Sequence, residues 1–352
     1  MGYKLNKKLI DLVPYEPITG TYNIRLDANE SCFNLPDSIK EKIISKIAET
    51  DFNRYPDCIA KAPIKAFSEL YDVPEELVTG GNGSDELISV ISSCFFESGD
   101  TIVNVSNDFS MYEFYAQLYE LNVETYQKES DLTINAEKLI AFCKEKNAKG
   151  LIFSNPCNPT SLGLDRASVK KIVEALDDCL VILDEAYMDF WDQSLLADVC
   201  NYDNLLILKT CSKAIGLAAV RFGFAVSNKI VTNALRAAKS PYNNDSIAQT
   251  IVAELLAEKD YLKECRDTIS ENTKQLYHDI LAIDSKYGFF EMVYKPCTNF
   301  VFIKTDEFEK IFRYMQDNSI AIRKFKGYLR ITSGTKAENS RFIEVLSKYY
   351  SK

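Results

Sequence analysis

Short apolar runs, each ended by polar residues or proline, recur through the middle of the chain. Four of them have the length and composition of strands: DTIVNVS (100–106), KGLIFSNP (149–156), CLVILDEA (179–186) and NLLILKT (204–210). Amphipathic segments with helical spacing are found at SDELISVISSCFF (84–96), MYEFYAQLYEL (111–121) and DRASVKKIVEALDD (165–178). This alternation predicts an α/β fold with a mostly parallel sheet between helices. Ligands of such sheets bind beyond the carboxyl ends of the strands.

The pattern changes from about residue 246, where long amphipathic helices lead into FVFIKT, SIAIRKF and YLRITSG. A chain of 352 residues also exceeds the usual size of one compact domain. We therefore predict a large domain over residues 26–245. A smaller α+β domain is predicted from residues 1–25 together with residues 246–352.

The overall charge restricts the classes of partner. The formal net charge is -10, which argues against nucleic acid or an anionic membrane as a partner. No run approaches the roughly 20 apolar residues of a membrane span, and the N-terminal stretch lacks the apolar core of a signal peptide. The ten cysteines contain no CxxC pair, which favours reduced thiols and a cytoplasmic location.

The chain contains a single histidine, His278, in the helix-like segment NTKQLYHDILAI. A single histidine argues against a catalytic triad, against a histidine metal site and against a histidine general base, and we expect no metal. Proton transfer must use lysine, tyrosine, cysteine or a carboxylate.

Polar residues cluster after the predicted strands. The glycines of LVTGGNGSDELISV lead into a helix beginning near Ser84, where free N–H groups suit a phosphate, although an ordinary loop with Ser84 or Asp85 as N-cap also explains them. Asn158, in the stiff loop SNPCNPTSLG, either presents its amide to a ligand or only forms a turn. Asp184 ends an apolar run, with Tyr187 three residues later. That carboxylate either bonds to nearby amides or accepts from a protonated ring nitrogen.

Lys213 and Arg221 lie among apolar residues in LLILKTCSKAIGLAAVRFGFAVS. Burying an unpaired charge is costly, so either both cations reach solvent or an anionic, reactive group lies between them. Thr210 and Ser212 add hydroxyl groups nearby. Together the clusters supply a phosphate cradle, an amide donor, a carboxylate and a lysine-arginine pair, which favours one shared ligand site.

The chain resembles the fold type I pyridoxal-phosphate aminotransferases, and among them most closely the enzymes that act on histidinol phosphate. The likeness covers nearly the whole chain, in family order, through LDANES, NRYPD, GNGSDELI, SNPCNPTSLG, LDEAYMDF, TCSKAIGLAAVRFGF, SPYNNDSIAQ and YLRITSGTKAENSRFI. The lysine motif with its downstream arginine is highly specific for the fold. The motifs NRYPD and LRITSGT point to the subfamily with less force.

The resemblance implies that pyridoxal 5′-phosphate is the cofactor and that the protein is a homodimer with shared active sites. Lys213 would hold the cofactor covalently and then act as the base, and Arg221 would bind its phosphate. Asp184 would pair with the ring nitrogen, which keeps the ring protonated and electron-accepting. Further contacts implied by the family are Thr210, Ser212 and the amides of Ser84 and Asp85 at the phosphate, Tyr187 and Asn158 at the ring hydroxyl, Tyr112 stacked on the ring, and Tyr55 of the partner subunit at the phosphate.

The same resemblance implies that Arg330 binds the substrate carboxylate, with help from Arg341 and Asn29. Contacts with a substrate phosphate are assigned to Arg323, Tyr22 and Asn243, each of which also fits a structural role. The sequence departs from the family in GLAAVRFG and in the short loop between Arg323 and Arg330.

The expected reaction is transamination between L-histidinol phosphate and 2-oxoglutarate, which gives imidazole acetol phosphate and L-glutamate. Two alternatives share the fold: an aminotransferase for aromatic or other amino donors, and an O-phospho-threonine decarboxylase. A further alternative is a module that binds a phosphorylated ligand without catalysis.

Overall fold

The computed structural model describes residues 2–10, 12 and 18–351. In chain order the strands are β1 (Ile24–Leu26), β2 (Val78–Gly81), β3 (Thr101–Val105), β4 (Asn122–Tyr126), β5 (Gly150–Ser154), β6 (Leu180–Asp184), β7 (Leu205–Thr210), β8 (Gly223–Ser227), β9 (Met292–Tyr294), β10 (Phe300–Lys304), β11 (Ile320–Phe325) and β12 (Tyr328–Thr332). The helices are α1 (Lys7–Ile10), α2 (Asp37–Ala48), α3 (Lys61–Tyr71), α4 (Gly83–Cys94), α5 (Met111–Leu118), α6 (Ala136–Glu145), α7 (Arg166–Ala175), α8 (Lys229–Ala238), α9 (Ser246–Leu256), α10 (Lys259–Tyr287), α11 (Phe308–Asp317) and α12 (Lys336–Tyr350).

The larger sheet has the strand order β2-β8-β7-β6-β5-β3-β4 in the described part of the chain. Its neighbouring strands are parallel except at β8, which runs antiparallel to both β2 and β7. The four strands predicted from the sequence are β3, β5, β6 and β7. They are consecutive neighbours in the sheet, in the order β7-β6-β5-β3. The α/β fold with a mostly parallel sheet is therefore confirmed.

Helices cover both faces of this sheet, and alternate residues of each strand enter opposite cores because side chains in a strand alternate between its faces. On β6, Val181 and Leu183 belong to one apolar cluster and Ile182 to the other. The first cluster includes residues of α2, α3, α6, α7 and α9. The second includes residues of α4, α5 and α8. Burial on both faces explains why these strands are apolar throughout.

The smaller sheet has the order β1-β11-β12-β10-β9 in the described residues. Strand β1 pairs with β11 in parallel, and the other neighbours are antiparallel. Helices α11 and α12 and the second half of α10 pack on this sheet in a separate apolar core. Two sheets with separate cores agree with a second α+β unit.

The division of the domains at residues 25/26 and 245/246 stays a prediction. Helix α9, just beyond residue 245, packs on α2 and α3 in the core of the larger sheet. Helix α10 joins the two cores, because Leu262 lies in the larger one and Leu276 in the smaller one. Within residues 2–10, 12 and 18–351, no helix combines the length and apolarity needed to cross a membrane.

Candidate active site

The carboxyl ends of β5, β6 and β7 lie side by side and carry polar residues. Ser154 ends β5 and is in register with Asp184, which ends β6, while Thr210 ends the neighbouring strand β7. Parallel strands end at the same edge of a sheet, so these groups open into one crevice. The sequence motifs after the strands therefore converge in space.

Asp184 is a buried carboxylate at the floor of this crevice, with 4% of its surface exposed. Its Oδ2 accepts a hydrogen bond from the Tyr112 hydroxyl at 2.7 Å, and Oδ1 accepts from the Ala186 amide at 3.0 Å. No cation of the described residues forms a salt bridge with it. Burial raises its pKa to about 6, because desolvation penalises the charged form. The site thus contains a carboxylate that lacks a cation.

Lys213 lies on the loop after β7, in a half-buried position. Its Nζ donates to the carbonyl of Ala28 at 2.9 Å and lies 5.9 Å from the centre of the Tyr187 ring. Burial, and next the positive charge of Arg330, lowers its pKa to about 8. About a tenth of this amine is therefore neutral and nucleophilic at pH 7.

The N-terminus of α4 meets the start of β8 through two glycines. A Cβ added at Gly223 would lie 2.7 Å from the amide nitrogen of Ser84. Gly83 has φ +81°, and a Cβ there would lie 2.9 Å from Nη2 of Arg221. Only glycine permits this close approach. The amides that open α4 and the arginine are therefore held together.

Arg221 completes an anion-binding cradle at this helix end. Its Nη2 lies 3.3 Å from Oδ2 of Asp85, and its Nη1 lies 3.4 Å from the hydroxyl of Ser212. The amide of Ser212 donates to the hydroxyl of Thr210 at 3.1 Å. A helix N-terminus with an adjacent guanidinium and hydroxyl groups suits a phosphate. The structure thus brings Ser84, Asp85, Thr210, Ser212 and Arg221 together.

Arg330 reaches into the crevice from the smaller sheet and is 7% exposed. Its Nη1 donates to Oδ1 of Asn158, and its Nη2 donates to the carbonyl of Asp27 at 2.6 Å. Two sequence clusters that lie 172 positions apart are joined by the first of these bonds.

Tyr187 and Asn29 form a second connection between the two sheets. The side-chain amide of Asn29 donates through Nδ2 to the Tyr187 hydroxyl at 2.9 Å. The Thr332 hydroxyl donates to Oδ1 of Asn29 at 3.0 Å. Burial raises the pKa of Tyr187 to about 12. The phenol therefore stays protonated and can donate its own hydrogen to a ligand.

Arg323 lies directly opposite Arg330 in the antiparallel pair of β11 and β12. It forms no ion pair with any described residue. Like charges in directly opposed positions destabilise a sheet unless an anion lies between them. Tyr22, another candidate contact for a substrate phosphate, accepts a hydrogen bond from Gln316 at 2.8 Å.

Three predicted residues have partners outside this group. Arg341 lies on α12 and pairs with Glu344 at 2.7 Å, with 43% of its side chain exposed. Asn243 accepts from Lys239 at 2.6 Å and donates to Glu86 at 2.7 Å, beside the first turn of α4. Tyr55 is 81% exposed and stacks on Tyr242 with ring centres 4.6 Å apart. Within one subunit, none of the three forms a hydrogen bond or ion pair with another predicted site residue among the described residues.

The sequence reasoning missed two residues that hold the crevice together, Thr332 and Asp108. Thr332 lies in the motif YLRITSG, two positions after Arg330, so alternation in a strand could have identified it. Asp108 lies on the loop after β3, at the sheet edge where Asp184 ends β6, and its carboxylate accepts hydrogen bonds from the amide and hydroxyl of Ser154. The charge of Asp108, shortly after a predicted strand, is the sequence signal that could have identified it.

Comparison with known proteins gives one consistent family. The family described as aminotransferase class I and II matches residues 22–346. The histidinol-phosphate aminotransferase of Clostridium kluyveri is 36% identical over 97% of both chains. That of Clostridium novyi is 36% identical over 97% of this chain and 95% of its own.

A solved structure agrees with this result at the level of the fold. The histidinol-phosphate aminotransferase of Sinorhizobium meliloti, in complex with pyridoxal-5′-phosphate, superposes with a TM-score of 0.87 at 22% identity. The match covers 99% of this chain and 98% of that one. The chain described above therefore belongs to the class I and II aminotransferases.

Proposed function

We propose that this aminotransferase uses pyridoxal 5′-phosphate to transfer the amino group of L-histidinol phosphate to 2-oxoglutarate. The products are imidazole acetol phosphate and L-glutamate. The observation that carries the proposal is that one crevice contains both the amine of Lys213 and the buried carboxylate of Asp184, which forms no salt bridge with a described residue. The names of the full-length relatives support histidinol phosphate as the amino donor.

The residues present fit the cofactor. Asp184 is buried without a cation among the described residues, and a protonated ring nitrogen would supply one. The cradle of Arg221 and the N-terminus of α4 fits the phosphate. Tyr187 and Asn158 would contact the ring hydroxyl. Lys213 would attach the cofactor through its amine, because its pKa of about 8 leaves part of it neutral.

When bound, the cofactor supplies an electron-accepting ring to the carbon that loses its proton. Lys213 is the base that this chain offers for that proton, since its lowered pKa lies near the working pH. Asp184 would hold the proton on the ring nitrogen. Tyr187, kept protonated by its raised pKa, would donate to the ring oxygen.

Recognition of both substrates is assigned to the arginines of the smaller sheet. Arg330 would bind a carboxylate of 2-oxoglutarate or glutamate through its two guanidinium nitrogens. Arg323 is proposed to bind the phosphate of histidinol phosphate, because it lies opposite Arg330 without an ion pair to a described residue. A phosphate between the two guanidinium groups would offset their repulsion. Tyr22 lies near the start of β1, on the same sheet, and is proposed as an accessory contact.

A homodimer is proposed because the aromatic pair of Tyr55 and Tyr242 is exposed, as are two apolar residues close to Tyr55 in sequence. Phe52 is 73% exposed and Ile59 is 40% exposed. Exposed apolar surface of this kind is typical of a subunit interface. Tyr55 is proposed to contact the cofactor phosphate in the other subunit. The proposed location is the cytoplasm, where the ten free cysteines would stay reduced.

The test is a panel of amino donors with 2-oxoglutarate as acceptor: histidinol phosphate, phenylalanine and O-phospho-threonine. Glutamate formation should be fastest with histidinol phosphate, by at least about tenfold in kcat/KM. A faster reaction with phenylalanine would contradict the proposed donor. Release of carbon dioxide from O-phospho-threonine without glutamate formation would identify a decarboxylase instead.

A further inference from the structure

A second carboxylate lies two strands away from Asp184 at the same edge of the larger sheet. Asp108 follows β3, and β5 separates β3 from β6. Its carboxylate accepts hydrogen bonds from the amide of Ser154 at 3.0 Å, from the hydroxyl of Ser154, and from the amide of Phe109 at 2.7 Å. The proposed reaction assigns no role to this residue.

Ser154 extends this contact to Asn158. The Ser154 hydroxyl donates to Asp108 and accepts from the amide of Asn158 at 3.1 Å. The side chain of Asn158 in turn accepts from Arg330. A continuous chain of hydrogen bonds therefore connects the end of β3 to the smaller sheet, and it passes through the backbone that orients Asn158.

Lys128 supplies a positive charge on the far side of the same loop. Its Nζ donates to the carbonyl of Asn107 at 3.1 Å and to the thiol of Cys157 at 3.1 Å. Burial raises the pKa of Asp108, while the charge of Lys128 acts in the opposite direction. Lys128 thus favours the ionised carboxylate that accepts the bonds from Ser154.

The segment that begins with Asp108 is fixed at its other end as well. Tyr112, on α5, donates to Asp184 at 2.7 Å, and the ring of Phe109 packs edge-on against Tyr112 at 5.5 Å. Asp108 and Tyr112 therefore attach one short segment to the ends of two strands, β5 and β6. A shift of Asp108 would be transmitted to both.

We propose that Asp108 is a positioning residue, which holds Asn158 in place through Ser154. The inference rests on the proposed function, in which Asn158 contacts the ring hydroxyl of the cofactor. Groups that orient a ligand-binding side chain often affect affinity strongly without touching the ligand.

The test is a double-mutant cycle on the affinity of the apoprotein for pyridoxal 5′-phosphate, measured by titration calorimetry. The four proteins are the wild type, Asp108→Asn, Asn158→Ala and the double variant. Asp108→Asn should weaken binding by about tenfold when Asn158 is present and by less than about twofold in the Asn158→Ala background. Loss by the same factor in both backgrounds would reduce Asp108 to a merely structural residue and overturn the inference.

Two further variants separate positioning from general stability. Ser154→Ala keeps the hydrogen bond from the backbone amide of residue 154 to Asp108 but removes the hydroxyl. It should therefore weaken cofactor binding, and its effect should be coupled to Asn158 in the same way. Asp189→Asn removes a carboxylate that accepts from Lys209 at 3.0 Å and Tyr71 at 2.9 Å. It should lower the unfolding temperature without coupling to Asn158. A wild-type apoprotein that binds no cofactor would instead refute the proposed function and, with it, this inference.

Discussion

The hydroxyl of Tyr112 donates a hydrogen bond of 2.7 Å to Oδ2 of Asp184. Both side chains are buried, with 2% and 4% of their surfaces exposed. Two donors, Tyr112 and the amide of Ala186, face the carboxylate, yet its pKa remains raised to about 6. The hydrogen bonds therefore offset only part of the desolvation, and a cationic group on a ligand would offset more of it.

The raised pKa of Asp184 predicts an unusual pH dependence for the stability of the apoprotein. The folded state holds the proton more tightly than the unfolded state, so this residue favours folding at low pH. That contribution is lost as the pH rises from about 4 to about 6, and it amounts to roughly 3 kcal/mol. Asp184→Asn cannot ionise. Above about pH 6 its free energy of unfolding should therefore exceed that of the wild type, as measured by urea unfolding.

The difference between the two apoproteins should shrink as the pH falls from about 6 toward about 4. A difference that stays constant across this range would show that Asp184 does not titrate there. Asp189→Asn is the matched control, because its carboxylate is paired with Lys209 at 3.0 Å. This variant should be less stable than the wild type at neutral pH.

Arg323→Ala should discriminate between phosphorylated and unphosphorylated amino donors. Loss of a guanidinium that pairs with a phosphate should reduce kcat/KM for histidinol phosphate by about a hundredfold and that for phenylalanine by less than about threefold. Arg313→Ala, on the exposed side of α11, is the control, since its side chain is 77% exposed and lies 3.8 Å from Glu309. Equal losses for both donors would remove Arg323 from phosphate recognition.

Shared active sites predict that two inactive variants complement each other. Lys213→Ala removes the proposed base, and Tyr55→Ala removes the contact supplied to the other subunit. In a mixed dimer, one site combines an intact Lys213 with the partner subunit's Tyr55. Refolding equal amounts together should therefore restore about a quarter of the wild-type activity.

Activity that never exceeds the mean of the two separate variants would contradict a site shared between subunits. Lys229→Ala, at the start of α8, provides the control for the mixing procedure. It should retain full activity alone. Mixed with either inactive variant, it should give only the mean of the two separate activities.

The sequence predicts the centre of the sheet well, because β3, β5, β6 and β7 are short apolar runs buried on both faces. It predicts the reversed direction of β8 poorly. A strand carries no local signal of its direction, and the antiparallel pairing with β2 joins residues far apart in sequence. The same limit applies to α9, whose amphipathic pattern does not specify which core it joins.

Among the site residues, Lys213, Arg221 and Asp184 could be identified because a charge at the end of an apolar run requires a partner. Arg341 shows the converse case. Glu344 lies one helical turn away and satisfies its charge locally, which makes a substrate contact unnecessary to explain it. The stacking of Tyr112 on the cofactor ring stays a prediction, but the bond from its hydroxyl to a carboxylate 72 positions away could not be read from the sequence. Contacts over such separations depend on the folded strand order.

The most direct test concerns the amine of Lys213. Borohydride reduction of the protein loaded with pyridoxal 5′-phosphate should fix the cofactor to one lysine, and peptide mass mapping identifies that lysine. We expect the added mass on the peptide that contains Lys213, with loss of the yellow colour. Attachment to a different lysine, or no attachment to any, would contradict it.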